Sequence, residues 1–193
     1  PIAVSAESTV VAEYVPDAAA ESAYQSEAAL ERDLIRLLES QAYEYLPIRT
    51  ESELIANLRN QLEALNNYTF SDDEWDRFFH EKIAGRNDGI VEKTVRIHDD
   101  HVQVLKRDDG STKNIRLIDK ANIHNNRLQV INQYEVDPAD PPDEASPGAA
   151  YANRYDVTIL VNGLPMVHVE LKRRGVDIRE AFNQIDRYQR DSF

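Results

Sequence analysis

Apolar positions in the first half of the chain recur at helical spacing. Leu30, Leu34, Leu37 and Leu38 form one stripe, and Leu54, Leu58, Leu62 and Leu65 a second. Trp75, Phe78, Phe79 and Ile83 form a third, most simply the core side of its helix. Each stripe follows a capping-box pattern, in which a hydroxyl side chain and a Glu or Gln three residues on satisfy each other's backbone N–H groups. The boxes are Ser22 with Gln25, Thr50 with Glu53, and Ser71 with Glu74. They predict a helix over 22–41, a second closed by Asn66 and Asn67, and a third ended by Gly85. After Gly89 the period falls to two. Strands are predicted over 90–97, 101–106, 114–118 and 128–136, with a turn at Asp108, Asp109, Gly110 and Ser111. Two denser strands, 155–161 and 165–172, are joined through Asn162 and Gly163, a favoured hairpin dipeptide. Asp177 caps a last helix carrying Ala181, Phe182, Ile185 and Tyr188. Helices segregated from an antiparallel-leaning sheet give an α/β fold of the α+β kind.

Composition narrows this further. A chain of 193 residues with 41% hydrophobic content is one ordinary domain with a real core. Residues 1–21 contain acids and no Lys or Arg, and read as an acidic flexible arm; 22–193 read as the folded domain. Residues 137–150 hold four prolines and four acids, a surface loop. Starting at Pro1 and stopping at Phe193 inside a helical pattern, the sequence reads as a piece of a longer chain. The absence of cysteine excludes disulfides, zinc–thiolate sites and cysteine nucleophiles. No apolar run approaches the ~20 residues of a membrane span, and no signal peptide opens the sequence. The expected compartment is the cytoplasm, with no membrane partner. Acids outnumber bases by 35 to 22, a net charge of −13, which counts against DNA binding by the whole surface. Nine of those acids fall in 1–30 and 137–144, whereas 170–191 carries six bases against five acids.

The chemistry concentrates in 154–190. By strand alternation Met166, His168, Glu170 and Lys172 share one face, and Val167, Val169 and Leu171 share the other, core face. Asp156 opens the preceding strand. Two carboxylates together offer hard oxygen ligands to Mg²⁺, and a nearby lysine can orient water or offset charge. A strict two-residue turn at Asn162 and Gly163 would set Asp156 opposite Val169 and put Asp156 and Glu170 on opposite faces. A shared metal therefore requires either an odd-numbered loop, with Gly163 left-handed, or a β-bulge near Pro165, so the hairpin is expected not to be a simple two-residue turn. From the pattern alone, a solvated face with an ordinary cross-strand ion pair is the usual reading. His98, Asp99, Asp100 and His101 read as a turn rather than a metal site, and His168 as a packed or exposed histidine.

Asp156 followed by Glu170, Leu171 and Lys172 resembles the PD-(D/E)xK nuclease motif. Gln184 and Tyr188, four apart on the following helix, resemble the Q-x-x-x-Y element of its RecB-like branch. The stretch 155–193 is similar to the amino-terminal nuclease domain of type I restriction enzyme R subunits, and 26–46 resembles that domain's opening helix. Tyr155 stands where the motif name has Pro. The resemblance implies a restriction-endonuclease-like core, a mixed sheet flanked by helices, and Mg²⁺-dependent cleavage of double-stranded DNA. It makes Asp156 and Glu170 metal ligands, Lys172 the catalytic lysine, and Gln184 and Tyr188 supporting residues. It also implies a first-helix Glu near the site, Glu27 preferred over Glu31. Implied partners are DNA and the methyltransferase and specificity subunits of a bacterial or archaeal type I complex. ATP would act only through motor domains elsewhere, since no phosphate-binding G-x-x-x-x-G-K-[ST] loop is present. Lys172, Arg173, Arg174, Arg179, Arg187 and Arg190 could rim the DNA side. A stand-alone RecB-like repair nuclease and a non-catalytic docking domain of the same fold are the rival readings.

Overall fold

The computed structural model describes residues 3–4, 9–10, 26–85, 90–136 and 153–172. The loop expected over 137–150, the helix from Asp177 and most of the arm lie outside them. Within the arm, β1 (Ala3–Val4) and β2 (Thr9–Val10) pair antiparallel.

Local chemistry starts the helices where capping predicts, with one shift. The Ser22 box lies outside the described residues; among them α1 (Glu27–Ser40) begins after Ser26, whose hydroxyl accepts from the Ala29 N–H at 3.2 Å. In α2 (Glu51–Asn66) both halves of the Thr50–Glu53 box form, and Asn67 closes the helix at φ +46°. In α3 (Asp72–Phe78) the Ser71–Glu74 box forms likewise, and the helix runs on as one π-helical turn, Phe79–Ile83.

The strand expected over 90–97 is instead a helix, α4 (Ile90–His98). Its residues carry both periods: Val91, Val95 and Ile97 alternate, while Ile97 is also seven on from Ile90. Burial of one side decides between them. Ile97 packs on the core, and Val91 and Val95 stay exposed.

Two strands follow, β4 (Val102–Lys106) and β5 (Thr112–Arg116), paired antiparallel around a turn where Gly110 takes φ +81°. They add Leu105, Ile115 and Leu117 to a core of Leu58, Leu62, Phe70, Trp75 and Phe78, with Phe79 packed against it.

The larger sheet contains β3 (Glu44–Tyr45), β6 (Leu128–Val136), β7 (Asn153–Val161) and β8 (Leu164–Val169) in that spatial order. β3 runs parallel to β6 and the other pairs are antiparallel, so the sheet is mixed. Leu34 and Leu38 of α1 pack with Val130, Val157, Val169 and Leu171. Leu46, Ile48 and Leu54 pack instead with Ile131, Tyr155 and Leu160. A mixed sheet flanked by helices is the arrangement of a restriction-endonuclease-like core. Among the described residues no helix is long and apolar enough to cross a membrane.

Candidate active site

The site is set by the β7–β8 hairpin. Asn162 at φ +52° and Gly163 at φ +81° make a two-residue turn, with Val161 directly facing Leu164. Both central φ values are positive, which matches the right-handed twist of the flanking strands. The Asn162 side chain is buried and satisfied, donating to Leu117 O and Asn126 Oδ1 and accepting from Arg127 N. Gly163 lies so close to α2 that a Cβ there would stand 2.6 Å from Leu58 Cα.

An unbroken register from this turn would separate Asp156 from Glu170. β8 contains a bulge instead. Pro165 pairs with Leu160 and Val167 with Ile159, leaving Met166 as the extra residue. Beyond it Thr158 faces His168 and Val157 faces Val169. The next step along that register sets Asp156 against Glu170, and directly opposed residues share a face. The odd residue that a shared site requires thus lies in the strand; the loop keeps two residues. Pro165, lacking an N–H, suits the disrupted ladder. Two expectations for β8 need correction. It closes at Val169 rather than Lys172, and Val167 is 47% exposed rather than core, next to the bulge at Met166; among the described residues β8 has a partner on one side only.

The three motif side chains converge. Asp156 Oδ2 accepts from the Leu171 N–H at 2.8 Å, tying the carboxylate to the neighbouring strand end. The Glu170 side chain is only 4% exposed, and its Oε1 accepts from Lys172 Nζ at 2.7 Å. Among the described residues Glu170 Oε2 is buried without a hydrogen-bond partner. Burial, joined by the charges of Asp156 and Glu27, pushes Glu170 above the ordinary carboxylate range despite the Lys172 hydrogen bond. For Lys172, burial works against the charge. The hydrogen bond to Glu170 and the nearby Glu27 and Asp156 outweigh it and hold the ammonium above its ordinary value.

A buried, unpaired carboxylate oxygen is costly unless something supplies it with a cation or donor. The Asp156 carboxylate acts electrostatically on Glu170, and two such hard oxygen donors fit Mg²⁺ better than a softer metal. Among the described residues no group of three or more His, Asp or Glu side chains is gathered into a preformed metal site.

The two first-helix candidates are separated by position. Glu27 acts electrostatically on both Glu170 and Lys172. Glu31 accepts hydrogen bonds from the side chains of Asn132 and Gln133 on β6. Gln184, Tyr188, Arg173, Arg174, Arg179, Arg187 and Arg190 lie outside the described residues. The segment from His98 to His101 is the end of α4, where Asp99 N and Asp100 N reach back to Val95 O and Asp100 accepts from Gln103.

Alternation did not reveal two features beside the site. Tyr155 and His168 stack, with ring centroids 3.9 Å apart and planes 14° from parallel. His168 Nδ1 shares a hydrogen bond with Thr158 Oγ1 at 2.9 Å, and burial holds the imidazole below its ordinary pKa. This pair lines one wall of a cavity of about 340 Å³, whose other walls include Leu54, Phe79, Ile97 and Leu164 and whose bases are Lys82, Lys93 and Arg96. These three bases come from a π-helical turn and from a helix whose pattern also reads as a strand, so no spacing in the sequence groups them.

A mixed sheet whose hairpin carries Asp156, Glu170 and Lys172 at adjoining positions has the layout that the PD-(D/E)xK resemblance implies. Over residues 24–193 the sequence matches the family described as type I restriction enzyme R protein N terminus, and the chain belongs to that family. It is 48% identical over 194 residues to the endonuclease subunit of the type I restriction enzyme EcoprrI of Escherichia coli, an overlap spanning all of this chain and 58% of that relative. It is 41% identical over 175 residues to the SsaAORF53P endonuclease subunit of Staphylococcus saprophyticus, covering 88% of this chain and 17% of the relative. A Staphylococcus aureus counterpart, SauMSSORF170P from strain MSSA476, is 39% identical over 176 residues and again only 17% covered. The chain therefore spans somewhat over half of one relative and about a sixth of the others.

Proposed function

We propose that this chain is the Mg²⁺-dependent DNA-cleaving domain of a type I restriction enzyme, a phosphodiester hydrolase acting on double-stranded DNA. The observation that carries the reading is the convergence of Asp156, Glu170 and Lys172, with Glu170 Oε2 buried and unpaired. Asp156 and Glu170 would hold the metal, which when bound supplies charge neutralisation and an activated nucleophile to a phosphodiester. Lys172, already aimed at Glu170, would orient the attacking water and offset charge on the phosphate. The Leu171 N–H fixes the Asp156 carboxylate, so one ligand is oriented by backbone before any ion arrives. The basic edge of the neighbouring cavity (Lys82, Lys93 and Arg96) gives an otherwise acidic chain a local footing for phosphates.

Base recognition would come from a specificity subunit, methylation from a methyltransferase subunit, and ATP hydrolysis from motor domains elsewhere in a cytoplasmic complex. The relatives, named as restriction endonuclease subunits, favour this over a repair nuclease. The test is plasmid cleavage by the assembled complex with Mg²⁺. Wild type should cleave, and Asp156→Ala, Glu170→Ala and Lys172→Ala should each fail to cleave while still hydrolysing ATP. Cleavage by all three variants would overturn the assignment.

A further inference from the structure

Gln133 has a backbone no side chain favours. It sits inside β6 at φ +54°, in the left-handed region that non-glycine residues rarely occupy. The β6–β7 ladder breaks at the same place. Asn132 pairs with Val157 and Tyr134 with Tyr155, but the intervening pair, Gln133 and Asp156, is missing from the register. Adjacent strand residues normally point to opposite faces. Here Asn132 Nδ2 and Gln133 Nε2 both donate to the one carboxylate of Glu31 on α1, each at 2.5 Å. Asn132 Oδ1 in turn accepts from Tyr45 Oη at 2.8 Å, which ties the same spot to β3. Unfavourable backbone persists only where its surroundings over-determine it, and such places cluster at working sites.

We infer that Glu31, by clamping Asn132 and Gln133, holds a kink in β6 that frees Asp156 from the ladder and leaves its carboxylate for Leu171 N and the site. Glu31 and Gln133 are on this account positioning residues: they act through Asp156 and touch no substrate. The inference rests on the proposed role of Asp156 and assigns first-helix acids separate tasks, Glu27 facing the Glu170–Lys172 pair and Glu31 bracing the strand behind it.

The test uses the full-length restriction subunit in its complex, with Gln133→Val, Gln133→Gly, Glu31→Ala and the double variant Glu31→Ala/Gln133→Gly. Valine resists positive φ and glycine accepts it. Gln133→Val should lower kcat by on the order of a hundredfold, the cost of slightly misplacing a reacting group, with KM for DNA unchanged. Its Mn²⁺ binding, followed by electron paramagnetic resonance, should weaken roughly tenfold, as for a lost supporting contact. Gln133→Gly should lose less, and adding it to Glu31→Ala should recover part of what Glu31→Ala loses. Wild-type kcat and Mn²⁺ affinity in Gln133→Val, or glycine as damaging as valine, would overturn the inference. If Gln133→Val fails to fold, rescue or no rescue in the double variant decides. Asp156→Ala separates the two levels: if that variant still cleaves, the functional reading fails; if it is dead while Gln133→Val is normal, only the positioning role fails.

Discussion

Two buried glutamates, in different parts of the molecule, show what separates a scaffold from a site. Glu74 caps α3, and its side chain is 5% exposed. Its Oε2 accepts from Tyr68 Oη at 2.7 Å and from Ser71 N, and its Oε1 accepts from Asp108 N at 3.1 Å, with Arg107 nearby. Burial works against its charge, but the hydrogen bonds from Tyr68, Asp108 and Ser71 prevail and hold it below its ordinary value. Glu170 is equally covered at 4%, yet one oxygen has no partner and burial wins, pushing it upward. Comparable burial thus gives opposite electrostatic outcomes, and the count of donors decides which. Around Glu74 folding has completed the hydrogen bonds; at Glu170 one oxygen has no donor among the described residues.

The sharpest way to break this comparison is to remove each carboxylate and read two quantities. Glu170→Gln should reduce cleavage at least about a thousandfold, the scale of losing a key electrostatic group. Its melting temperature without divalent ions should hold or rise, because ionised Glu170 opposes folding. A large loss of stability would make Glu170 scaffold after all. Glu74→Gln should do the reverse, costing about 1–3 kcal/mol at neutral pH because the amide meets donors with a donor. Cleavage per folded molecule should be unchanged. The acid limb sharpens this. The folded pKa of Glu74 is depressed, so its stabilisation is present above the unfolded value near 4.5 and is lost as pH falls through the folded value. Denaturant titrations should therefore show the gap between wild type and Glu74→Gln closing below about pH 4.5.

Between the two regions lies the contact of Gly163 with α2. Gly163→Ala meets both a positive φ and the Leu58 backbone at 2.6 Å, and should destabilise by about 1–3 kcal/mol. Since it also moves the hairpin, it should lower cleavage beyond its effect on the folded fraction, as measured by activity normalised to circular dichroism. The smallest effect should come from Thr50→Ala, the α2 cap: about 1 kcal/mol of stability and no change in cleavage by folded protein.

How much was legible in the sequence follows the range of the interactions. Capping boxes are local, and those at Thr50 and Ser71 formed as the residues required. The turn at Asn162 and Gly163 is a two-residue one, as that dipeptide favours, whereas the need to bring Asp156 and Glu170 together points away from a simple two-residue turn; the bulge in β8 reconciles the two. The segment 90–97 was misread because Val91, Val95 and Ile97 suit either period, and only a core built from distant residues chooses. Asp156, Glu170 and Lys172 were visible as residue types in a spacing. The need for an odd residue was visible too, with a three-residue loop or a bulge near Pro165 as the options; which of them forms depends on pairing with Leu160 and Ile159. Glu31 was visible only as second choice to Glu27, and Asn132 and Gln133 left no trace, because the contacts that join them span more than a hundred positions.

The bulge at Met166 also makes the hairpin a parity device. What aligns Asp156 with Glu170 is whether the number of residues between them is odd or even, a property separate from the packing those residues provide. A lineage carrying this hairpin can therefore drift freely by substitution at Met166 or Val167. A single insertion or deletion, harmless in an ordinary surface loop, would leave every side chain present and the two carboxylates on opposite sides of the sheet.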